Sequence, residues 1–294
     1  MGEKFKLTLP LQFNHIFMKY LFLSLFILIA QTGKSQYYYN DILGTAAQND
    51  LIKTYLANHV SKITAIGYDQ NGLKDNSFQE IQEVLENGTV LKITSLNNNQ
   101  REVYYYQYKD GKLQSVVDSS SNFIITRQYT YDAVGRITKI VNTTQDPDNE
   151  FNQTESHTWQ YLDNGMPSKM WRTINQTDSM EIQFVPTDNG LPGDENTYRR
   201  GVKTGTIYYY YDEQNRLTDI VRYHDKLKKM LPDMMFEYDA ENHVIQKITT
   251  TPSTLSSYLI WRYIYDEKGL KTKDALFNKD KKLTGKIIYN YSFK

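Results

Sequence analysis

Apolar residues recur with period two inside short segments of this chain, and the segments themselves recur. The stretch YTYDAVGRITKIV (129–141) returns as YYYDEQNRLTDIV (209–221), FEYDAENHVIQKI (236–248) and YIYDEKGLKTKDA (263–275). Weaker copies are YQYKDGKLQSVV (106–117), WQYLDNGMPSKM (159–170) and IQFVPTDNGLPG (182–193), with a half unit IIYNYSF at 287–293. The aromatic before each turn is Tyr108, Tyr131, Tyr161, Phe184, Tyr211, Tyr238, Tyr265 and Tyr291, at successive gaps of 23, 30, 23, 27, 27, 27 and 26 residues. Aromatic-x-aromatic is one face of a strand, because side chains alternate across a sheet. Asp132, Asp212, Asp239 and Asp266 then suit the first position of a type I turn, where a carboxylate bonds nearby backbone N–H groups. Gly135, Asn215, Asn242 and Gly269 supply the left-handed residue that lets the chain re-enter a strand. One unit therefore predicts one β-hairpin.

The returning strands do not alternate cleanly: in RLTDIV, Leu217 and Val221 share a parity and Ile220 does not. Either the strands carry bulges or apolar groups sit on both faces. Polar linkers at 142–155 and 249–257 hold Pro147 and Pro252, which do not fit strand interiors. The expected fold is all-β: an elongated antiparallel β-hairpin repeat array, a meander, over residues 101–294. Residues 36–100 read differently. Thr45 and Gln48 suggest a capping box before a helix at about 46–57, striped by Leu51, Ile52, Tyr55 and Leu56 and ended by Asn58. Strands follow at 61–67, 77–85 and 89–96, with Glu86-Asn87-Gly88 as a turn. This segment is expected to be a small N-terminal α+β cap over the first edge of the array.

Upstream, residues 21–30 are continuously apolar, preceded by Lys19 and followed by Gly33 and Ser35. Ten apolar residues are too few to span the ~30 Å hydrocarbon core. The basic flank, short core and small-x-small site describe a secretory signal peptide over residues 1–35, cleaved before Gln36. Met18 opens a compact signal of ordinary shape, which marks residues 1–17 as a candidate mis-called start. No Cys follows the apolar run, so the chain is not a lipoprotein. The expectation is a secreted or periplasmic protein with no membrane span after cleavage.

Composition narrows the field. The chain of 294 residues has 34 basic and 34 acidic side chains and no Cys. Zero net charge argues against nucleic acid as a partner, and the absence of Cys removes disulfides, thiolate metal sites and cysteine nucleophiles. Its 25 Tyr, 12 Phe and 3 Trp favour strands. His59, His157, His224 and His243 have no metal-ligand spacing; His243 takes the post-turn place of Arg136 and Arg216, and His157, at a strand start, reads likewise as an exposed residue. No nucleophile elbow, P-loop or dinucleotide fingerprint occurs. Neither a cofactor nor a catalytic residue is expected. The Asp-Arg pairs read as turn chemistry, and the acidic run 146–150 as a solvated loop rather than a calcium site. Asp178-Ser179-Met180 matches a short O-glycosylation acceptor pattern but reads as an ordinary loop.

Consecutive tyrosines pose a sharper question, since alternate rings point to opposite faces. One set packs the core; the other can form a platform for sugar or peptide. Tyr104, Tyr106, Tyr208, Tyr210 and Trp261 are the candidate platform residues, against the plainer reading of cross-strand pairs that stabilise the sheet.

The unit Tyr131-Asp132-Ala133-Val134-Gly135-Arg136-Ile137-Thr138 resembles the YD repeat of RHS and teneurin-like proteins, and 209–221 keeps it except for Asn215. The resemblance covers about 104–294. The layout is also similar to small exported proteins of Bacteroidetes-type bacteria with degenerate YD-like repeats. In the large relatives, many such repeats wind into a shell around a toxin; this chain has about seven units and no cargo domain. The resemblance also associates the repeats with carbohydrate. The functional expectation is an exported, non-catalytic interaction or structural protein of the bacterial envelope, with an envelope glycan or protein as partner. The alternatives are a glycan-binding module and, third, an enzyme acting on polysaccharide or peptidoglycan.

Overall fold

The computed structural model describes residues 37–98, 100–119, 123–146, 148, 151–225, 227–250 and 258–294. The expected signal segment, its cleavage site, both linker prolines and most of the acidic run lie outside these residues. Among the described residues the first element is helix α1 (Asn40–Ala57), followed by β1 (Val60–Asp69), β2 (Lys74–Leu85), a single 3-10 turn (Glu86–Gly88), β3 (Val90–Asn97), β4 (Gln100–Lys109) and β5 (Lys112–Asp118). The chain goes on through β6 (Ile124–Tyr131), β7 (Ile137–Gln145), β8 (Asn152–Tyr161), β9 (Pro167–Ile174), β10 (Asp178–Pro186), β11 (Pro192–Arg199) and β12 (Val202–Tyr211). The last strands are β13 (Leu217–His224), β14 (Lys229–Tyr238), β15 (Val244–Thr250), β16 (Tyr258–Tyr265), β17 (Lys271–Phe277) and β18 (Leu283–Phe293).

All neighbours pair antiparallel in chain order, and β1 pairs with both β2 and β18. The sheet is thus a closed barrel of 18 strands, not the open elongated meander expected from the repeats. The seam is long: Ile63 lies opposite Tyr291, Ala65 opposite Tyr289 and Gly67 opposite Ile287. Closure removes both exposed edges, which an open array would have to protect. The expected separate cap is corrected with it. Strands β1–β3 belong to the barrel wall, and α1 packs into the interior with Ile52 and Tyr55 in the main core cluster. The helix also starts earlier than its sequence suggested. Thr45 is not its cap; its hydroxyl donates to the carbonyl of Asp41 one turn back.

The geometry accounts for each letter of the repeat. The anchor tyrosine donates its hydroxyl to a carbonyl of the preceding hairpin: Tyr131 to Leu113, Tyr161 to Ile137, Tyr211 to Pro192, Tyr238 to Leu217, Tyr265 to Val244 and Tyr291 to Lys271. Asp132 accepts the N–H groups of Val134 and Arg136 and holds the Arg136 Nε at 2.7 Å. Asp212 repeats this on Arg216, and Asp239 on His243. Asp266 accepts the N–H groups of Lys268 and Leu270. Gly135, Asn215, Asn242 and Gly269 have φ of 89°, 62°, 69° and 72°, in the left-handed region. The post-turn side chain then covers the next anchor ring: Arg136 sits 4.7 Å from the centre of Tyr161, Arg216 4.9 Å from Tyr238, and the His243 ring stacks 4.6 Å from Tyr265.

The uneven alternation of the returning strands is a bulge at a constant place. Tyr131 pairs with Ile137 and Thr130 with Lys139, leaving Thr138 extra; Tyr211 pairs with Leu217 and Tyr210 with Asp219, leaving Thr218 extra. The bulge turns residues three apart to the same side, so Ile137 and Ile140, and Leu217 and Ile220, are all buried. Thr138 uses its hydroxyl to bond the carbonyl of Thr130 across the hairpin.

Candidate functional site

Two features set the barrel's chemistry: a charged latch beneath the start of α1, and a cleft between α1 and the tight turns. The latch centres on His157, which is 1% exposed. Its Nδ1 lies 2.6 Å from Oδ2 of Asp41 on α1, and its Nε2 lies 2.8 Å from Oε1 of Glu155 on its own strand. Both ring nitrogens therefore donate to carboxylates, which requires the imidazolium form. Burial alone would depress the imidazole, but the two carboxylates lift it to about 9. Burial likewise opposes ionisation of Glu155, yet hydrogen bonds from His157 and Arg172 hold it down at about 2. The Tyr38 ring meets His157 edge-on at 5.4 Å. Beside this network, Glu195 is 0% exposed and accepts the N–H groups of Tyr38 and Tyr39 and the hydroxyl of Tyr209. Burial pushes its carboxyl up to about 7.

The far half of α1 has its own polar anchor. Tyr55 donates to Gln82, whose amide donates to Glu80. Burial raises Glu80 to about 7. Asp274, 0% exposed, accepts from Lys271 and Tyr289. Lys247 is buried nearby and is lowered by burial, then by Lys271, to about 8. Among the described residues no group of three or more His, Asp or Glu could hold a metal ion.

The cleft has a volume of about 400 Å³. Tyr39, Ile42, Thr45, Ala46 and Asn49 of the helical side form one wall; the turns at Gly135, Gly165 and Gly190 form the other. Tyr131 and Tyr161 stand between them, each fixed by its hydroxyl bond to the preceding hairpin.

These positions redraw the expected site. Tyr104, Tyr106 and Trp261 are 4%, 2% and 2% exposed, so they cannot form an external platform. They lie on the inward-facing parity of β4 and β16. Tyr208 is half-buried and Tyr210 is 51% exposed, both on the outer parity of β12. The five do not converge. His157, expected at an exposed position, is instead the most enclosed His; its parity with the buried Trp159 on β8 was the available sign. Asp178 opens β10 and pairs with Arg199 at the surface. Glu195 and Asp41 carried no sequence signal, the latter because the helix was placed too late.

No family model matches the chain, and no curated protein matches it. Solved structures do. A porin-like protein from Bacteroides uniformis is 11% identical, matching over 80% of this chain and 97% of its own length at a TM-score of 0.37. Another porin-like protein, from Bacteroides vulgatus, is 11% identical over 80% of this chain and 98% of its own, with a TM-score of 0.26. The crystal structure of TcdB2-TccC3-TEV matches 74% of this chain at 11% identity and a TM-score of 0.34. This chain spans 12% of that one's length.

Proposed function

We propose that this is an exported, non-catalytic interaction or structural protein of the bacterial envelope, folded as a water-soluble barrel. One observation carries the reading. The outward-facing row Val90, Gln107, Ser115, Gln128, Val141, Ser156, Thr173 and Ser179 runs through hydrogen-bonded neighbours of β3 to β10. A second outer row reads Thr130, Lys139, Thr158, Trp171, Glu181, Tyr198 and Lys203. A barrel in lipid needs an apolar band ~25 Å tall on this face and polar groups within. On β3–β12 the order is reversed: these outer rows are largely polar while the rings of Tyr104, Tyr106, Trp159 and Phe184 are buried inside with α1, and the apolar outer row Met235, Ile248, Ile260, Phe277 and Leu283 is confined to β14–β18. The apolar run at residues 21–30 supports export. No helix among the described residues is long and apolar enough to cross a membrane. The buried ionisable groups support a holding role: His157 and Glu155 are engaged with each other and with α1 rather than with a pocket.

Fractionation of the native host tests this reading. The mature chain is expected in the periplasm or medium, soluble without detergent and starting at or near Gln36. Recovery in the outer-membrane pellet, released only by detergent, would overturn it.

A further inference from the structure

We propose that the outer face of β14–β16 is a dimer interface and that its occupant is a second copy of this chain. The proposal deepens the interaction reading and rests on the barrel being water-soluble, since in a membrane the same face would meet lipid. One row of the face is apolar: Met235, Ile248 and Ile260 lie opposite one another across the three strands, with Phe277 next in line on β17. Tyr223 and Met230, paired on β13 and β14, extend it. Met235, Met230 and Tyr223 are 38%, 43% and 47% exposed, so their surface is open to a partner. Contiguous exposed apolar surface rimmed by polar groups marks an interaction site.

The charges beside the row say which partner fits. One step toward the tight turns, Glu237, Gln246 and Arg262 lie opposite one another on the same three strands. Gln246 stands between the two charges: its amide donates to Glu237, and its carbonyl oxygen accepts from the Arg262 Nε at 2.9 Å. Glu237 and Arg262 are both exposed, and neither has a salt-bridge partner among the described residues. Elsewhere on the outer wall, acid and base on adjacent strands pair directly, Lys92 with Glu83 at 3.1 Å and Lys169 with Glu181 at 3.0 Å. Here they are held two strands apart, about 10 Å, too far to pair within one chain. Sheets stacked face to face keep their strands within about 30° of each other. A two-fold axis along β15 then sets Glu237 against the partner's Arg262 and Met235 against the partner's Ile260, while Gln246 and Ile248 meet their own copies. The face is complementary to itself, as a closed two-fold contact requires. Five strands at ~4.8 Å spacing and six residues at ~3.4 Å rise give a footprint about 20 Å square, at the small end of specific interfaces, so the dimer is reversible.

Sedimentation velocity of the mature chain from about 1 to about 300 µM tests this. A concentration-dependent monomer–dimer equilibrium is expected. Glu237→Arg and Arg262→Glu should each weaken dimerisation at least ~ten-fold at an unchanged melting temperature, because like charges then face each other. Mixing the two single variants should bring the dimer back, since each reversed charge finds its opposite in the other copy; a purely structural effect of either substitution would not be rescued this way. Met235→Lys should weaken the dimer at least ~ten-fold without touching the charge pair. A monomer over the whole range, a dimer indifferent to both reversals, or single variants that stay monomeric when mixed would each overturn the interface. So would a monomer that floats with phosphatidylethanolamine–phosphatidylglycerol vesicles, which would make lipid the occupant. A chain that fractionates as soluble yet sediments as a monomer would sink the dimer and leave the envelope reading standing, so the two failures are distinguishable.

Discussion

The hairpins β6–β7 and β10–β11 share one geometry but are held by different means. In the first, Tyr131 ties back to Leu113, Asp132 builds the turn, and Arg136 reaches forward to Tyr161. In the second, Phe184 has no hydroxyl, Thr187 replaces the aspartate and accepts the N–H of Leu191, and Leu191 stands where the cation would be. The lost ties are replaced from inside. Phe184 stacks on Trp159 and meets the Tyr39 ring edge-on, while Glu195 on the same hairpin accepts the two N–H groups at the start of α1. The unit departs from its consensus where the helix takes over the bonding. Degeneracy in a repeat is thus informative: it marks the wall that the interior element uses.

The hardest way to break the comparison is to remove the helix latch. His157→Ala leaves the Asp41 and Glu155 carboxylates buried around an absent cation, and the expected loss is ~3–5 kcal/mol by urea unfolding. His243→Ala removes a half-exposed partner of Asp239 in a regular turn, with an expected loss of ~0.5–1 kcal/mol. Equal losses would show that the interior network does not hold the fold.

The same latch gives a pH dependence without mutation. His157 is raised above its ordinary 6.5, so its contribution is complete below that value and is lost as pH rises through about 9. Glu195 and Glu80, raised from 4.5 to about 7, hold protons in the fold that the unfolded chain has released; stability falls as pH rises across that interval. Glu155, held at about 2, opposes this only in acid, where its contribution fades below 4.5. The melting temperature should peak in mild acid and decline continuously into the alkaline range. Glu195→Gln should flatten the slope between 4.5 and 7; an unchanged slope would remove Glu195 from the account.

Within the regular unit, Gly135→Val is expected to cost more than Gly135→Asn, by ~1–2 kcal/mol, because Asn tolerates the left-handed region that a β-branched residue avoids. Thermal melts that match for the two variants would contradict the turn assignment. The smallest effect belongs to the ladder: Tyr161→Phe should cost ~1 kcal/mol through the bond to Ile137, and Phe184→Leu a different kind of loss, that of ring packing against Trp159. A neutral Tyr161→Phe would mean that the hydroxyl ties are ornamental.

Much of the wall could be read in the sequence because it is local. Alternating rings, an aspartate and a left-handed residue specify a hairpin within a dozen positions, and the odd parity of Leu217 and Ile220 left bulges as one of two readings, the other being apolar groups on both faces. The closure was not readable, since pairing of β1 with β18 joins segments more than two hundred residues apart and nothing in either strand names the other. The interior position of α1 was hidden for the same reason: its polar contacts run to Glu195 and His157, chosen by the barrel's geometry and not by neighbours in the chain. Parity divides the platform candidates: Tyr104, Tyr106 and Trp261 share a face with the core, whereas Tyr208 and Tyr210 lie on the outer face of β12.

A row of hairpins has two ends at which to come undone; a ring has none. In a linear array the terminal units fray first and loss spreads inward. Here the final strand is zipped to the first, down to Lys294, whose N–H reaches the carbonyl of His59. Freeing any one strand demands rupture of two interfaces, so amide exchange should be slow around the whole circumference instead of graded from the termini. The same property makes synthesis an all-or-nothing affair: until β18 emerges, β1 has no second neighbour and the circle cannot close.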